Sequence, residues 1–331
     1  MLKKLSLIFS ALLGAVMLIV FKDEAAKGAV SGLYSCSDIL IPSLFPFMVC
    51  VNMIIKSANL LRIDKLRIPL IFLLSAIGGY PVGAAVLNNS VNDGVIDKEK
   101  AGKCLNFCVN AGPGFLIFAV GAHRFNSAAA GTALFASTLL SSMTIFIHFL
   151  FKDKALLSGK KSISENKITV SEMFVDSTSS AASAMFSVCS FVVVFSVINA
   201  VILKISKKFR LLKILLIINE VTYSSFHIKN IYILSFVIGF GGLCVIMQIF
   251  SVSSKIEINK IKFILFRIIH GLFSSAYTFI IFKIFNIPLK TGNLSNNVLI
   301  EINTPKTVAA LSVFVLIFII SLQNVKKYGN G

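Results

Sequence analysis

The sequence predicts an all-α fold: a polytopic transmembrane helix bundle with broken or re-entrant helices, for which two related halves are one of the arrangements open. Three observations predict it. The first is composition. Of 331 residues, 56% are hydrophobic and 14% charged, and the mean hydropathy is +0.88. Soluble domains carry about a quarter charged residues, so a chain this poor in charge cannot face water on every side. The second is that apolar runs recur along the chain at about the 20 residues a helix needs to cross a hydrocarbon core. The third is that several of these runs carry Gly and Pro in their middles, where an ordinary helix has neither.

Charge patterning points to a bilayer and away from nucleic acid. The formal net charge is +18, but the basic residues sit in small clusters between apolar runs: Lys3-Lys4, Arg62/Lys65/Arg67, Lys152/Lys154, Lys160-Lys161, Lys204/Lys207/Lys208/Arg210 and Lys326-Lys327. Short cytoplasmic loops look like this under the positive-inside rule, and such clusters also suit anionic lipid heads. Trp is absent and Tyr is scarce, so Lys and Arg must anchor most helix ends. The cysteines, Cys36, Cys50, Cys104, Cys108, Cys189 and Cys244, lie in or beside apolar segments. Cys104 and Cys108 are one helical turn apart, but no His or carboxylate is spaced to complete a zinc site, and they read as small hydrophobes. No metal and no cofactor is expected.

Residues 1–24 form an N-terminal unit in which the charge-free run 5–21 follows Lys3-Lys4. A basic start before an apolar run also fits a signal peptide. No small-x-small cleavage site follows, and the run reads as a retained transmembrane helix. Residues 25–151 form the first half. Its apolar run 28–55 contains Asp38, Pro42 and Pro46, and its run 68–92 is interrupted by Gly78-Gly79-Tyr80-Pro81-Val82-Gly83. A polar, helix-prone stretch over 93–103 leads to a run over 104–122 around Asn110-Ala111-Gly112-Pro113-Gly114, then to a clean span over 125–151 rich in Ala, Ser and Phe.

Residues 152–172 are the most polar stretch and read as an exposed linker. Residues 173–285 form the second half. A long run over 173–203 opens on small residues, and the run 211–218 is too short to span. The run 231–254 holds Gly239, Gly241 and Gly242 in its middle and Gln248 beyond, and the run 263–282 carries Arg267 and His270. Residues 286–331 are an Asn-rich loop and a last span over 307–325. The halves run parallel in one respect. In each, an apolar helix precedes a segment broken by a Gly-Gly pair, Gly78-Gly79 or Gly241-Gly242, and a further apolar helix follows. Interrupted segments in corresponding positions of two halves point to a transporter's binding site.

Pro81 removes a backbone donor and clashes one turn back, Tyr80 before it is pushed out of helical geometry, and the glycines make unusual dihedrals cheap. Freed backbone groups at membrane depth must be buried in protein or face a water-filled cavity. Amides at a helix start suit an anion there. The run Ile41-Pro42-Ser43-Leu44-Phe45-Pro46-Phe47 is expected to break the preceding span, and Asn110–Gly114 the following one. Three successive interruptions favour discontinuous helices around a central site over simple packing kinks.

Polar residues inside spans are functional candidates: Asp38, Asn110, Gln248, Arg267 and His270. Arg267 and His270 are three apart and share a helical face, which would meet a carboxylate substrate. Arg267 has a second reading, snorkelling to the interface from a few residues inside its span. Glu220, near Thr222, has two roles open to it, pairing with Arg267 or capping a helix. Walker A, His-Glu-x-x-His and dinucleotide Gly patterns are all absent, and Asp38 has no second intramembrane Asp to make a protease. The chain is not expected to be an enzyme.

The motifs together resemble the YlbJ-type sporulation integral membrane proteins, a branch of the nucleoside-recognition gate domain superfamily. The likeness rests on Ile41 to Phe47, on Gly79-Tyr80-Pro81-Val82-Gly83-Ala84, on Lys98-Glu99-Lys100-Ala101 and on Asn110-Ala111-Gly112-Pro113-Gly114-Phe115. In the second half it rests on Phe195-Ser196-Val197, Glu220-Val221-Thr222 and Phe240-Gly241-Gly242-Leu243 with Gln248. It covers roughly 25–285. The family commonly has Ser before Gly-Tyr-Pro, where this chain has a second glycine, and Thr-Gly after the Glu, where Tyr223 follows Thr222. The resemblance implies a role in endospore formation and passage of dipicolinate, a small aromatic dianion, across the mother-cell-derived outer forespore membrane; a nucleoside is the alternative solute, and a scaffold without transport the alternative role. The implied substrate site is Pro42, Ser43, Pro46, Gly78, Gly79, Tyr80, Pro81, Gly83, Asn110, Gly112, Pro113, Gly241, Gly242, Gln248 and Arg267. The partners are then a small anion and the lipid bilayer, with a homo-oligomer left open.

Overall fold

The computed structural model describes residues 2–60, 66–153, 155–157, 169–206 and 212–288. The expected last span over 307–325, and most of the polar linker and the Asn-rich loop, lie outside the described residues. Every regular element among the described residues is helical. In order they are α1 (Leu2–Val20), α2 (Lys22–Ser35), a π-turn (Cys36–Leu40), α3 (Ile41–Leu60), α4 (Arg67–Gly78), α5 (Tyr80–Asn92), α6 (Lys98–Cys104), a π-helix (Gly114–Arg124) and α7 (Ala128–Lys152). Then come α8 (Val170–Ser206), α9 (Leu212–Asn219), α10 (Val221–His227), α11 (Ile231–Phe240), α12 (Gly242–Val252) and α13 (Lys260–Phe285).

The helices α7, α8 and α13, and α11–α12 taken together, are long and apolar enough to cross a membrane. Shorter apolar stretches lie at Ala11–Val20, Leu44–Ser57, Arg67–Gly78 and Gly114–Arg124. Large apolar side chains cover the outside, among them Phe9, Phe118, Phe151, Val194 and Phe279. Water-soluble surfaces do not carry apolar patches on that scale, and the chain is an integral membrane protein.

Ion pairs fix the relative direction of the helices. Lys56 near the end of α3 meets Asp176 at the start of α8. Lys204 at the end of α8 meets Glu24 at the start of α2, at 2.6 Å. The α2–α3 rod therefore runs antiparallel to α8. The two lie close because Gly28 and Gly32 face the α8 backbone, where an added Cβ would come within 2.8 and 2.7 Å of the Val197 and Val193 Cα atoms.

The α4–α5 pair is a re-entrant hairpin. Arg67 at the start of α4 donates to the Val95 carbonyl just beyond α5, at 3.0 Å, so both open ends lie at one end of the bundle and the tip is at Gly79. The helix α6 stays at that end. There Lys103 pairs with Asp153 at 2.9 Å and with Glu99 at 3.1 Å. The hydrogen bonds it donates to Asp153 and Glu99 hold the Lys103 ammonium above its ordinary pKa, and the bond accepted from Lys103 holds the Asp153 carboxyl below its own. The segment 105–113 then returns to the centre, and the π-helix leads to the opposite end, where α7 starts.

The second half repeats this order in the opposite direction. The long rod is α8. The hairpin is α9–α10, closed by the Ser224 hydroxyl donating to the Ile217 carbonyl at 2.7 Å. The interrupted crossing is α11–α12, and the closing span is α13. The end of α12 comes back beside α5 and α6, where the Lys255 amide donates to Asn88 Oδ1 at 2.8 Å and the Glu257 amide to the Lys98 carbonyl at 3.3 Å.

Two expectations are corrected. The counterpart of the Gly79 tip is the Asn219-Glu220 tip, and the counterpart of Gly241-Gly242 is the 105–113 segment. The sequence parallel paired the wrong elements because the second hairpin turns on a carboxylate cap rather than on glycine. The break expected at 42–47 is also absent. The helix α3 runs through both prolines, with Pro46 inside it. The irregularity lies one turn earlier, in the π-turn, where the Ile41 amide donates to the Cys36 carbonyl. Pro42 has no N–H for the Asp38 carbonyl and its ring crowds that oxygen; one extra residue in the turn makes room.

Candidate functional site

Four interruptions of the backbone meet at the centre of the bundle: two hairpin tips and two crossing segments. Gly79 turns α4 into α5 at φ +90° and ψ 179°, a combination essentially confined to glycine. Pro81 follows in the first turn of α5, where its missing N–H is no loss. Gly79 rests on the other interruption of its half, since an added Cβ would meet the Gly112 amide at 3.4 Å. Gly78 is covered by the Phe47 ring, and Gly83 is pressed onto the Cys108 carbonyl. In the other half Gly241 and Gly242, at φ +92° and +76°, separate α11 from α12. Gly242 lies on the Asn219 and Ile218 carbonyls, each 3.2 Å from where its Cβ would be. The same tip-on-crossing contact is thus made in each half.

A broken helix leaves carbonyls without amide partners, and Arg267 collects them. It is fully buried on α13. Its Nε donates to the Phe240 carbonyl at 3.0 Å, Nη1 to the Val109 carbonyl at 2.6 Å, and Nη2 to the Gly239 carbonyl. Two of these acceptors end α11, whose dipole favours a cation; the third belongs to the first half. The head points inward, so Arg267 does not snorkel. Among the described residues no carboxylate stands within ion-pair distance of it. Glu220 caps α10 instead, accepting from the Thr222 and Tyr223 amides at 2.9 and 2.7 Å. A guanidinium has five N–H donors, and two are left after these three bonds.

Tyr80, at the first tip, reaches across to the second half and donates its hydroxyl to the Ile238 carbonyl at 2.7 Å. Its ring and Arg267 Nη2 flank Gly241, lying 3.6 and 3.5 Å from where a Cβ would stand. One turn beyond Arg267, the buried His270 continues the network. Its Nδ1 faces the Gly239 carbonyl at 3.0 Å and its Nε2 faces Ser142 Oγ at 2.7 Å. Ser142 bonds Asn110 Oδ1, and Asn110 Nδ2 donates to the Phe107 carbonyl at 3.2 Å. Ser141 donates to the His270 carbonyl at 2.8 Å, binding α7 to α13.

The structure therefore brings Gly78, Gly79, Tyr80, Asn110, Gly112, Gly241, Gly242 and Arg267 together, with Pro81 and Gly83 in support. Pro113 is the N-terminal cap of the π-helix. Gln248 is buried two turns along α12, donating to Cys244 Sγ at 3.3 Å, apart from the network. Pro42 and Pro46 are exposed on α3, and the Ser43 side chain lies outside the described residues. What α3 supplies is apolar wall, from Leu44 and Phe47. Asp38 is exposed in the π-turn. The backbone acceptors and Ser141 and Ser142 were missed by sequence reasoning. A signal for the serines existed: Ser137, Thr138, Ser141 and Ser142 make a buried polar stripe at helical spacing along α7.

A buried cation with spare donors, set among helix ends and with no carboxylate within ion-pair distance among the described residues, is suited to a small anion. The chain is similar to the sporulation integral membrane protein YlbJ of Bacillus subtilis (strain 168), at 22% identity over 382 aligned positions that span 92% of this chain and 93% of that protein. That match agrees with the YlbJ-type resemblance read from the motifs. No family model matches the chain, and no solved structure matches it.

Proposed function

We propose that this chain is a transporter of the sporulating mother cell that moves dipicolinate across a membrane surrounding the forespore. The observation that carries the reading is the meeting of four interrupted segments, from two oppositely directed halves, around a buried Arg267 that has no carboxylate partner among the described residues. Inverted halves with broken helices at the midplane are the architecture of many secondary transporters. Similarity over nearly the full length to a protein named for sporulation supports the setting. Dipicolinate fits the chemistry: its carboxylates suit the guanidinium and the helix ends, and its ring suits the Tyr80 and Phe47 side chains.

The test is deletion in the native host followed by assay of dipicolinate in the spores. Loss of spore dipicolinate is expected. Normal content in a host without a second copy overturns the reading. Uptake of nucleosides instead of dipicolinate by the reconstituted protein would replace the solute. Full function of a folded Gly79→Val, Pro81→Ala double variant would leave a scaffold and not a carrier.

A further inference from the structure

Counting hydrogens at His270 leads beyond a simple anion site. The Gly239 carbonyl can only accept, so His270 Nδ1, 3.0 Å away, carries a hydrogen. Asn110 is oriented by the Phe107 carbonyl, which takes a hydrogen from Nδ2 and leaves Oδ1 facing Ser142. Oδ1 too can only accept. Ser142 Oγ touches both Asn110 Oδ1 and His270 Nε2, and it has one hydrogen to give. With a neutral imidazole that hydrogen goes to one neighbour, and the other contact sets lone pair against lone pair. With both ring nitrogens protonated every contact is made: Nδ1–H to Gly239, Nε2–H to Ser142, and Ser142 O–H to Asn110. The Thr138 backbone is a further hydrogen-bonding neighbour of the ring. Unmade polar contacts in a dry interior are expensive.

The protonated ring puts a second positive charge one turn from Arg267, and both donate to the same Gly239 carbonyl. Among the described residues, the groups around the ring do not neutralise it. From α7 it is faced by Ser142 and the Thr138 backbone, from α11 by the Gly239 carbonyl, and through Ser142 by Asn110 of 105–113. Arg267 on its own helix is the formal charge acting on it, and Tyr80, which flanks Gly241 with Arg267, is committed to the Ile238 carbonyl. Two cations buried this closely need two negative charges.

We infer that His270 takes up a proton when a small dicarboxylate binds, so that Arg267 and His270 together match the dianion and one proton travels with each substrate. The inference rests on the reading proposed above and adds the coupling ion to it. Charge balances: the dianion meets one permanent and one acquired positive charge, and the proton comes from the solvent on the loading side and is released with the anion. Ser142 and Asn110 are positioning residues that hold the Nε2 proton.

The experiment is calorimetric titration of the purified full-length protein with dipicolinate at neutral pH, in buffers of different ionisation enthalpy, which counts protons taken up on binding. The expected result is about one proton per dipicolinate for the wild type, and affinity that falls about tenfold for each pH unit above neutrality. His270→Gln should bind more weakly, without proton uptake and without that pH dependence. Should His270→Gln not fold, Ser142→Ala serves, with a reduced proton count expected. Binding with no proton uptake by the wild type overturns this inference and leaves the transport reading standing. An unchanged proton count in His270→Gln overturns it as well. No binding of dipicolinate overturns both.

Discussion

The rod α8 and the broken pair α11–α12 are both apolar enough to cross a membrane, yet they lie in opposite surroundings. In the most apolar window of α8, 22% is buried within the protein; in that of α11–α12, 67% is. The difference follows from the backbone. The rod α8 is one unbroken helix over Val170–Ser206, satisfies its own amides and carbonyls, and can be left against lipid. The pair α11–α12 is interrupted at Gly241 and presents the Gly239 and Phe240 carbonyls to whatever surrounds it. Lipid offers no donor, so the break has to sit inside, where Arg267 supplies one. A break at depth and a buried cation are thus two parts of one arrangement.

Removing the donor should have the largest effect. Arg267→Met strands the Val109, Gly239 and Phe240 carbonyls, each worth about 1–3 kcal/mol when buried and unpaired. A large drop in unfolding temperature in detergent and loss of flux are expected; wild-type stability would separate the break from the cation. Next is the converse change, a break imposed on the lipid-facing rod. Val194 is exposed on α8, and Val194→Pro should cost about 3 kcal/mol or more, since it removes an intrahelical hydrogen bond and its ring crowds the carbonyl one turn back. A smaller loss is expected at the natural break. Gly241→Ala must hold φ +92° beside Arg267 and Tyr80, at about 1–2 kcal/mol of strain; thermal unfolding measures it, with reduced flux at matched abundance. Smallest is Val194→Ala, expected within about 0.5 kcal/mol of wild type; a larger shift would mean that this face of α8 is covered by protein and not lipid.

Much of this was legible in the chain itself. Glycine at positive φ has no substitute, so Gly79 and Gly241 announced their breaks, and an arginine in an apolar run announced a buried partner. The partners were not legible, because they are backbone carbonyls that any residue carries. Pro42 and Pro46 misled for the opposite reason: a proline near a helix start is absorbed by a local change of winding, and only the neighbouring turn shows it. Asn219-Glu220 was overlooked as a tip because a carboxylate cap does for α10 what glycine and proline do for α5, in different letters.

The opposed direction of the halves has a consequence for energetics. Each half presents to one face of the bilayer what its counterpart presents to the other. In the proposed carrier, a conformation open to one side would have a counterpart open to the other, reached when the halves exchange shapes. Two such states differ little in free energy, because they are built from the same kinds of contact. For the proposed carrier, little would separate them except the gradients of solute and proton, and those gradients would decide which way the protein faces.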